Sequence, residues 1–100
     1  MSERPNPLKV LAVCGLGMGT SLILSMTTET AVGRIGVPAE VSYTDLSSAR
    51  GQGADVIVGQ EMHIAELAGE APILVSIDDF VDDEALEERM RAALEAEGWL

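Results

Sequence analysis

The chain has little of several residue types. Its 100 residues include three aromatic side chains, one cysteine, one histidine and one lysine. With 47% hydrophobic residues and so few rings, the core must be aliphatic. A chain of this length forms one domain, and we expect it to span residues 1–100. A lone cysteine cannot form an intrachain disulfide, which is typical of a reducing compartment.

Long apolar runs are also missing. The longest runs fall far short of the ~20 residues that a membrane span needs. The first seven residues, MSERPNP, lack the apolar centre of a signal peptide, and we expect residues 1–7 to form a flexible N-terminal segment. These features predict a cytoplasmic protein that does not insert into the membrane.

Basic residues are scarce as well: there are six against 17 acidic residues, and the net charge is -11. This balance argues against a nucleic-acid partner, because such binding neutralises phosphates with Lys and Arg. The segment from Asp78 to Glu97 holds nine acids and two arginines, and so contributes -7 of that charge. The simplest interpretation is a solvated helix face, and the alternative is a docking surface for a basic partner.

The hydrophobic pattern predicts four strands that alternate with helices. Strands are predicted at 8–13, 39–44, 55–59 and 72–77, and helices at 20–35, 61–68 and 82–96. The polar segment 45–53 is predicted to be a loop, with room for one helical turn over 46–50. Such alternation favours an α/β fold, here an open four-stranded parallel sheet flanked by helices, of the Rossmann-like or flavodoxin-like type.

The apolar side of the first helix is expected to carry Leu22, Ile23 and Met26. The methionines at positions 18, 26, 62 and 90 are expected to pack as aliphatic core residues.

The segment CGLGMGTS, which begins at Cys14, carries the strongest functional signal. It joins the first strand to the first helix, and ligands of such folds bind beyond the carboxyl ends of the strands, where the strand order reverses. Three alternating glycines let backbone N–H groups turn inward, and the helix start adds its own N–H groups and dipole. We therefore predict a phosphate-binding loop. The helix start also favours the thiolate form of Cys14, which makes it a candidate nucleophile for a phosphoryl group.

Other loops of this kind fit less well. No lysine follows Val10, which excludes the mononucleotide-binding G-x-x-x-x-G-K-[ST] loop, and the glycine spacing differs from the dinucleotide pattern G-x-G-x-x-G. In cysteine phosphatases five residues separate the cysteine from an arginine, and Ser or Thr follows that arginine. Here five residues also follow Cys14, but the next residue is Thr20 and the arginine is missing. Without that cation, transfer is favoured over hydrolysis. Three alternatives stay open: a low-molecular-weight cysteine phosphatase or arsenate-reductase-like enzyme, a non-covalent phosphate-binding module, and an inert buried thiol.

The segment from Lys9 to Ser21, KVLAVCGLGMGTS, resembles the active-site segment of the IIB components of the bacterial phosphoenolpyruvate-dependent sugar phosphotransferase system (PTS). It is most similar to the ascorbate and galactitol branch, whose loops read Cys-Gly-x-Gly-x-Gly-[Ser/Thr]-Ser. The predicted strand at 39–44, the segment 53–58 that leads into the third predicted strand, and the terminal helix agree, so the resemblance spans nearly the whole chain.

The resemblance implies a function and its residues. It implies a protein-Nπ-phosphohistidine–sugar phosphotransferase in which Cys14 takes a phosphoryl group from a phosphohistidine of the IIA partner. The resulting phosphocysteine would give the group to a sugar held by the membrane partner IIC, at the inner face of the membrane. Neither a cofactor nor a metal is expected. The phosphate would be surrounded by Gly15, Leu16, Gly17, Met18, Gly19, Thr20 and Ser21.

Four further polar residues follow predicted strands. His63 is a possible accessory residue that hydrogen-bonds the phosphate or steadies a partner, although a surface or helix-capping role is more common. Asp78 and Asp79 are expected to cap the turn into the last helix, since a carboxylate beside a dianion is repelled. Asp45 is interpreted as a turn residue.

Overall fold

The computed structural model describes residues 4–14 and 18–100, with the side chain of Met18 left out. Four strands and three helices lie in this part of the chain. They are β1 (Leu8–Val13), α1 (Met18–Ile35), β2 (Ala39–Thr44), β3 (Val56–Gly59), α2 (Glu61–Glu66), β4 (Ile73–Ser76) and α3 (Asp83–Glu97).

The strands form one open, entirely parallel sheet in the order β2-β1-β3-β4. This confirms the predicted α/β fold with a four-stranded parallel sheet flanked by helices. The chain runs outward from β1 to β2 on one side and from β3 to β4 on the other, so the strand order reverses between β1 and β3. The last residues of these two strands, Val13 and Gly59, face each other in register. The switch point of the sheet therefore lies beyond Val13 and Gly59.

Helices cover both faces of the sheet because the two central strands are apolar on both faces. On β1, Leu8, Val10 and Ala12 pack in the core with residues of α1 and α3. Leu11 and Val13 point to the opposite face and pack with residues of α2. A strand buried on both faces reads as a continuous apolar run, which is why the sequence identified β1 and β3.

The ends of the elements differ from the predictions by one or two residues. Helix α1 begins at Met18 rather than at residue 20, and α2 ends at Glu66 rather than at residue 68. Helix α3 begins at Asp83 because Asp82 is its N-cap, with Oδ1 of Asp82 accepting the N–H of Ala85 at 3.1 Å. The segment 46–50, where one helical turn was expected, forms turns and a bend and is not assigned as a helix.

The buried face of α1 is not the predicted one. Leu22, Ile23 and Met26 are 45%, 46% and 60% exposed, whereas hydroxyl residues on the same turns are buried. Ser25 and Thr28 donate to helix carbonyls three and four residues earlier, both at 2.7 Å. Because their own helix satisfies these hydroxyls, burying them costs little.

The prediction that the methionines pack in the core is right for one and wrong for two. Met90 is fully buried, whereas Met26 and Met62 are 60% and 67% exposed. The side chain of Met18 lies outside the described residues. No helix in the described part of the chain is both long and apolar enough to cross a membrane.

Candidate active site

Cys14 lies at the switch point, directly after β1. Its backbone N–H donates to the carbonyl of Thr44 at the end of β2, at 3.3 Å, and its side chain is fully buried. Helix α1 begins four residues later. The cysteine is thus placed between the end of a central strand and the start of a long helix, where the sequence predicted it.

The first turn of α1 is joined to the same carbonyl. The hydroxyl of Ser21 donates to the carbonyl of Thr44 at 3.3 Å, so one oxygen links Cys14, Ser21 and the end of β2. Gly19 is exposed and Thr20 is half-buried on this turn. The first backbone N–H groups of a helix have no acceptor within it, and they form the positive end of its dipole. This end of α1 is therefore suited to an anion.

The rest of the predicted phosphate loop cannot be placed. Gly15, Leu16 and Gly17 lie outside the described residues, and of Met18 only the backbone is described. The structure thus brings Cys14, Gly19, Thr20 and Ser21 together at one end of the sheet, and the roles of all eight loop residues stay predictions.

Gly59 supports the position of Cys14, and the sequence analysis did not single it out. A Cβ atom at this position would lie 2.9 Å from the carbonyl oxygen of Val13, the residue before Cys14. The same Cβ would lie 3.6 Å from Cδ1 of Ile64. The close approach of β3 to β1 at the switch point therefore requires glycine.

His63 lies on the buried side of α2, just beyond the carboxyl end of β3. Its backbone N–H donates to the carbonyl of Gln60 at 3.0 Å. The residue is only 9% exposed, and Nδ1 is buried without a hydrogen-bond partner. It is therefore not the surface residue that such a histidine usually is.

The acidic residues at this edge have structural partners. The Asp45 carboxylate accepts the N–H of Ser48 at 2.8 Å and the hydroxyl of Ser47 at 2.9 Å. These hydrogen bonds lower the pKa of Asp45, and the one from the backbone N–H of Ser48 has the largest effect. They confirm Asp45 as a turn residue. Asp79 accepts the N–H of Val81 at 3.0 Å, within the turn that leads to α3.

Arg89 lies at the carboxyl end of β4, a position that the sequence alone did not indicate. Its guanidinium donates to the carbonyl of Ser76, at the end of β4, at 2.8 Å, and lies 3.9 Å from the Asp78 carboxylate. The helical periodicity of α3 predicted its buried side but not which strand that side contacts. Arg89 thus lies two strands away from β1, and both of its contacts are made with β4 and the segment after it.

The fold and the placement of Cys14 together define a class: small α/β domains that hold a cysteine at the switch point of a parallel sheet. Residues 9–92 match the family described as PTS system, Lactose/Cellobiose specific IIB subunit, and the chain therefore belongs to this family. A search of curated protein sequences found no match.

Membership of this family fixes the general function. The chain is a IIB component, a phosphoryl-relay subunit of a sugar phosphotransferase system, which works with IIA and IIC partners. The match does not support the ascorbate and galactitol branch that the loop indicated, because the description of the family names lactose and cellobiose.

Proposed function

We propose that Cys14 is the residue through which this subunit relays the phosphoryl group. It would accept the group from a phosphohistidine of IIA and pass it to the sugar bound by IIC, in the cytoplasm at the inner face of the membrane. The observation that carries this proposal is the position of Cys14 between β1 and the start of α1, at the switch point of the sheet. Family membership supplies the reaction class.

The two transfers balance without any further reactant. In the first, the thiolate of Cys14 supplies the electron pair of a new S–P bond, and the N–P bond breaks with its pair left on the histidine nitrogen of IIA. In the second, a sugar hydroxyl forms the O–P bond, the S–P bond breaks, and the thiolate is regenerated. The hydroxyl proton goes to solvent or to a base of the membrane partner. Catalysis of such transfers consists largely of positioning and charge stabilisation.

The start of α1 provides the charge stabilisation in this proposal. The N–H groups of its first turn and the hydroxyl of Thr20 would face the phosphoryl oxygens, together with the loop residues from Gly15 to Met18. The hydrogen bonds from Cys14 and Ser21 to Thr44 hold the strand end and the helix start in one position. A preformed arrangement of donors lowers the cost of reorganisation during transfer.

A protein donor also needs a docking surface, and α1 offers one beside Cys14. Leu22, Ile23 and Met26 form an exposed group that we name the α1 apolar patch. The patch begins one residue after Ser21. It ends at Met26, and the next residue, Thr27, is buried and donates its hydroxyl to the carbonyl of Phe80 in the segment between β4 and α3. Exposed apolar residues that adjoin one another on a helix are typical of protein interaction sites.

Charge around the patch indicates the kind of surface that fits it. The segment between β4 and α3 carries Asp78, Asp79 and Asp82, all exposed. Val81, in the same segment, is 67% exposed. A partner that covers the patch is therefore expected to be apolar at its centre and basic toward this segment.

Phosphorylation by IIA is the direct test. The chain is incubated with phosphoenolpyruvate, the general PTS proteins and a IIA subunit, and its intact mass is measured. One arm uses a lactose/cellobiose-type IIA, as the family match indicates, and a second uses an ascorbate/galactitol-type IIA for comparison. We expect one phosphoryl group per chain in one arm. If both donors are themselves phosphorylated and the chain gains no mass, the proposal is rejected.

The burial of Cys14 favours one alternative, an inert packed thiol. That alternative predicts no phosphoryl adduct in either arm, so the same measurement separates the two. A cysteine phosphatase would instead hydrolyse an aryl phosphate at an ordinary rate. A non-covalent phosphate module would bind inorganic phosphate without a change in the mass of the denatured chain.

Met26→Glu is expected to impair docking while leaving the fold intact. Met26 is 60% exposed, so the substitution should change the unfolding temperature little. A carboxylate at the centre of an apolar interface should slow phosphorylation by ~10- to 100-fold at limiting IIA concentration. The matched control is Ala92→Glu, which adds the same charge at an exposed position of α3. Equal rates for the two variants would show that the α1 apolar patch is not the docking surface.

A further inference from the structure

His63 is buried and has an unsatisfied nitrogen, and it lies beyond the carboxyl end of β3, next to the strand that Cys14 follows. It is more than nine-tenths buried, and Nδ1 has no hydrogen-bond partner. A buried polar atom without a partner destabilises a protein, because nothing replaces the hydrogen bonds to water that it loses on folding. Buried polar atoms of native proteins nearly always have a partner in the protein or in a bound water, ion or ligand, so this nitrogen calls for one.

The topology places His63 beside the phosphoryl relay. Val13 and Gly59 are in register, so Cys14 and Gln60 are the first residues beyond two adjacent strands. His63 lies one turn further, with its N–H bonded to the carbonyl of Gln60. The next residue, Ile64, packs over the end of β3, within 3.6 Å of the Cβ position at Gly59. The buried side of α2 therefore packs over the end of β3, the strand next to the one that Cys14 follows.

Other side-chain cations have partners or lie away from the switch point, and Arg50 donates to the carbonyl of Glu66 at 3.0 Å. Arg34 pairs with Asp83 on α3 at 2.7 Å, and Arg89 is held at the end of β4 by Ser76. Lys9 lies near the amino end of β1, away from the switch point. Among the described residues at the ends of β1 and β3, His63 is thus the ionisable side chain able to donate a hydrogen bond to an anion.

We propose that His63 contacts the phosphoryl group while Cys14 carries it, with Nδ1–H donating to a phosphoryl oxygen. The proposal rests on the function proposed for Cys14 and deepens it by adding a residue that touches the reacting group. The contact would satisfy the orphaned nitrogen and stabilise negative charge during both transfers. His63 forms no covalent bond in this scheme.

Three substitutions separate this role from simple packing. His63→Asn places an amide N–H near the position of Nδ1, His63→Gln places one nearer to that of Nε2, and His63→Leu removes both. Met62→Leu, at an exposed position on the same turn, is the matched control. Each purified chain is phosphorylated by the IIA donor that labels the wild type. The rate of S–P bond formation and the lifetime of the phosphorylated chain are then measured beside the unfolding temperature.

The loss of one charge-assisted hydrogen bond predicts that His63→Leu and His63→Gln slow the transfer by ~10- to 100-fold. His63→Asn should stay close to the wild-type rate, and Met62→Leu should equal it. Equal rates for the Asn and Gln variants would overturn the proposal, even if the Leu variant does not fold. A wild-type chain that gains no phosphoryl group would instead reject the function proposed for Cys14, before any variant is compared.

A spectroscopic readout completes the test. The chain has one histidine, so its imidazole nitrogen resonances arise from His63 alone. Phosphorylation of Cys14 should shift the Nδ1 resonance of the wild type. An unchanged imidazole spectrum in a fully phosphorylated sample would contradict the proposed contact.

Discussion

Cys14→Ser is expected to abolish phosphorylation of the chain and the transfer of a phosphoryl group to sugar. Cysteine reacts as the thiolate, and thiols in general lose their proton far more readily than a serine hydroxyl, which stays protonated at neutral pH. An oxygen nucleophile would need a base to remove its proton. Deleting a nucleophile lowers enzymatic rates by ~10⁴- to 10⁶-fold, and we expect an effect of at least that order.

The substitution should leave the fold in place. Serine has nearly the volume of cysteine, and the backbone N–H of Cys14 that donates to Thr44 is kept. Because the side chain is fully buried, the new hydroxyl is expected to cost ~1–3 kcal/mol if it finds no acceptor. Intact mass after incubation with phosphorylated IIA gives the result, and circular dichroism shows whether the variant is folded. A folded Cys14→Ser chain that still gains the phosphoryl group would place the acceptor at another residue.

Local sequence was enough for most of the fold because its signals act over short distances. The central strands β1 and β3 were recognised as short apolar runs, and all of their residues except Lys9 are buried. Helix α3 was predicted over 82–96 from its apolar periodicity and is found over Asp83–Glu97, with Asp82 as its N-cap and Gly98 at its end. Each of these signals depends on residues within one or two turns, which sequence patterns capture well.

The face that α1 buries was predicted incorrectly because apolar periodicity ignores hydrogen bonds within the helix. Ser25 and Thr28 satisfy their hydroxyls on the carbonyls of Leu22 and Leu24, so they are buried at little cost. Leu22 and Met26 are left exposed. A side chain that is apolar and exposed beside the active site is the pattern expected when a partner completes the burial.

The residues of the candidate site also fall into those that local sequence indicates and those that only the fold brings together. Cys14 and the start of α1 are neighbours in sequence, so the motif revealed them. His63 follows a predicted strand directly, so the sequence indicated it as a possible accessory residue. Gly59 and Arg89 were not indicated, because they come from distant parts of the chain and a single sequence does not show which strands pair. The sugar branch could not be predicted for a different reason. In the proposed mechanism IIC binds the sugar, so the sequence of this chain carries little information about which sugar is transported.

Gly59→Val is expected to lower the stability of the chain strongly and to displace Cys14. The added Cβ would lie 2.9 Å from the backbone oxygen of Val13, and backbone cannot rotate away as a side chain can. Overpacking of this kind costs ~1–3 kcal/mol for a small group, and valine adds two further carbons. At about 4–8 °C per kcal/mol for a domain of this size, the unfolding temperature should fall by roughly 10–20 °C.

Gly59→Ala should lower the unfolding temperature less than Gly59→Val does, and Gly33→Ala is the control. Gly33 lies within α1 with no atom within 4 Å of its Cβ position, so alanine there should stabilise the helix by ~0.5–1 kcal/mol. The unfolding temperature and the rate of phosphorylation by IIA are measured for all three variants, at a temperature where each is folded. Slower phosphorylation is expected only for the Gly59 variants, since Val13 must move to admit the new carbon and Cys14 moves with it. A Gly59→Val chain as stable as the wild type would show that the ends of β1 and β3 do not approach as closely as the register of Val13 and Gly59 requires.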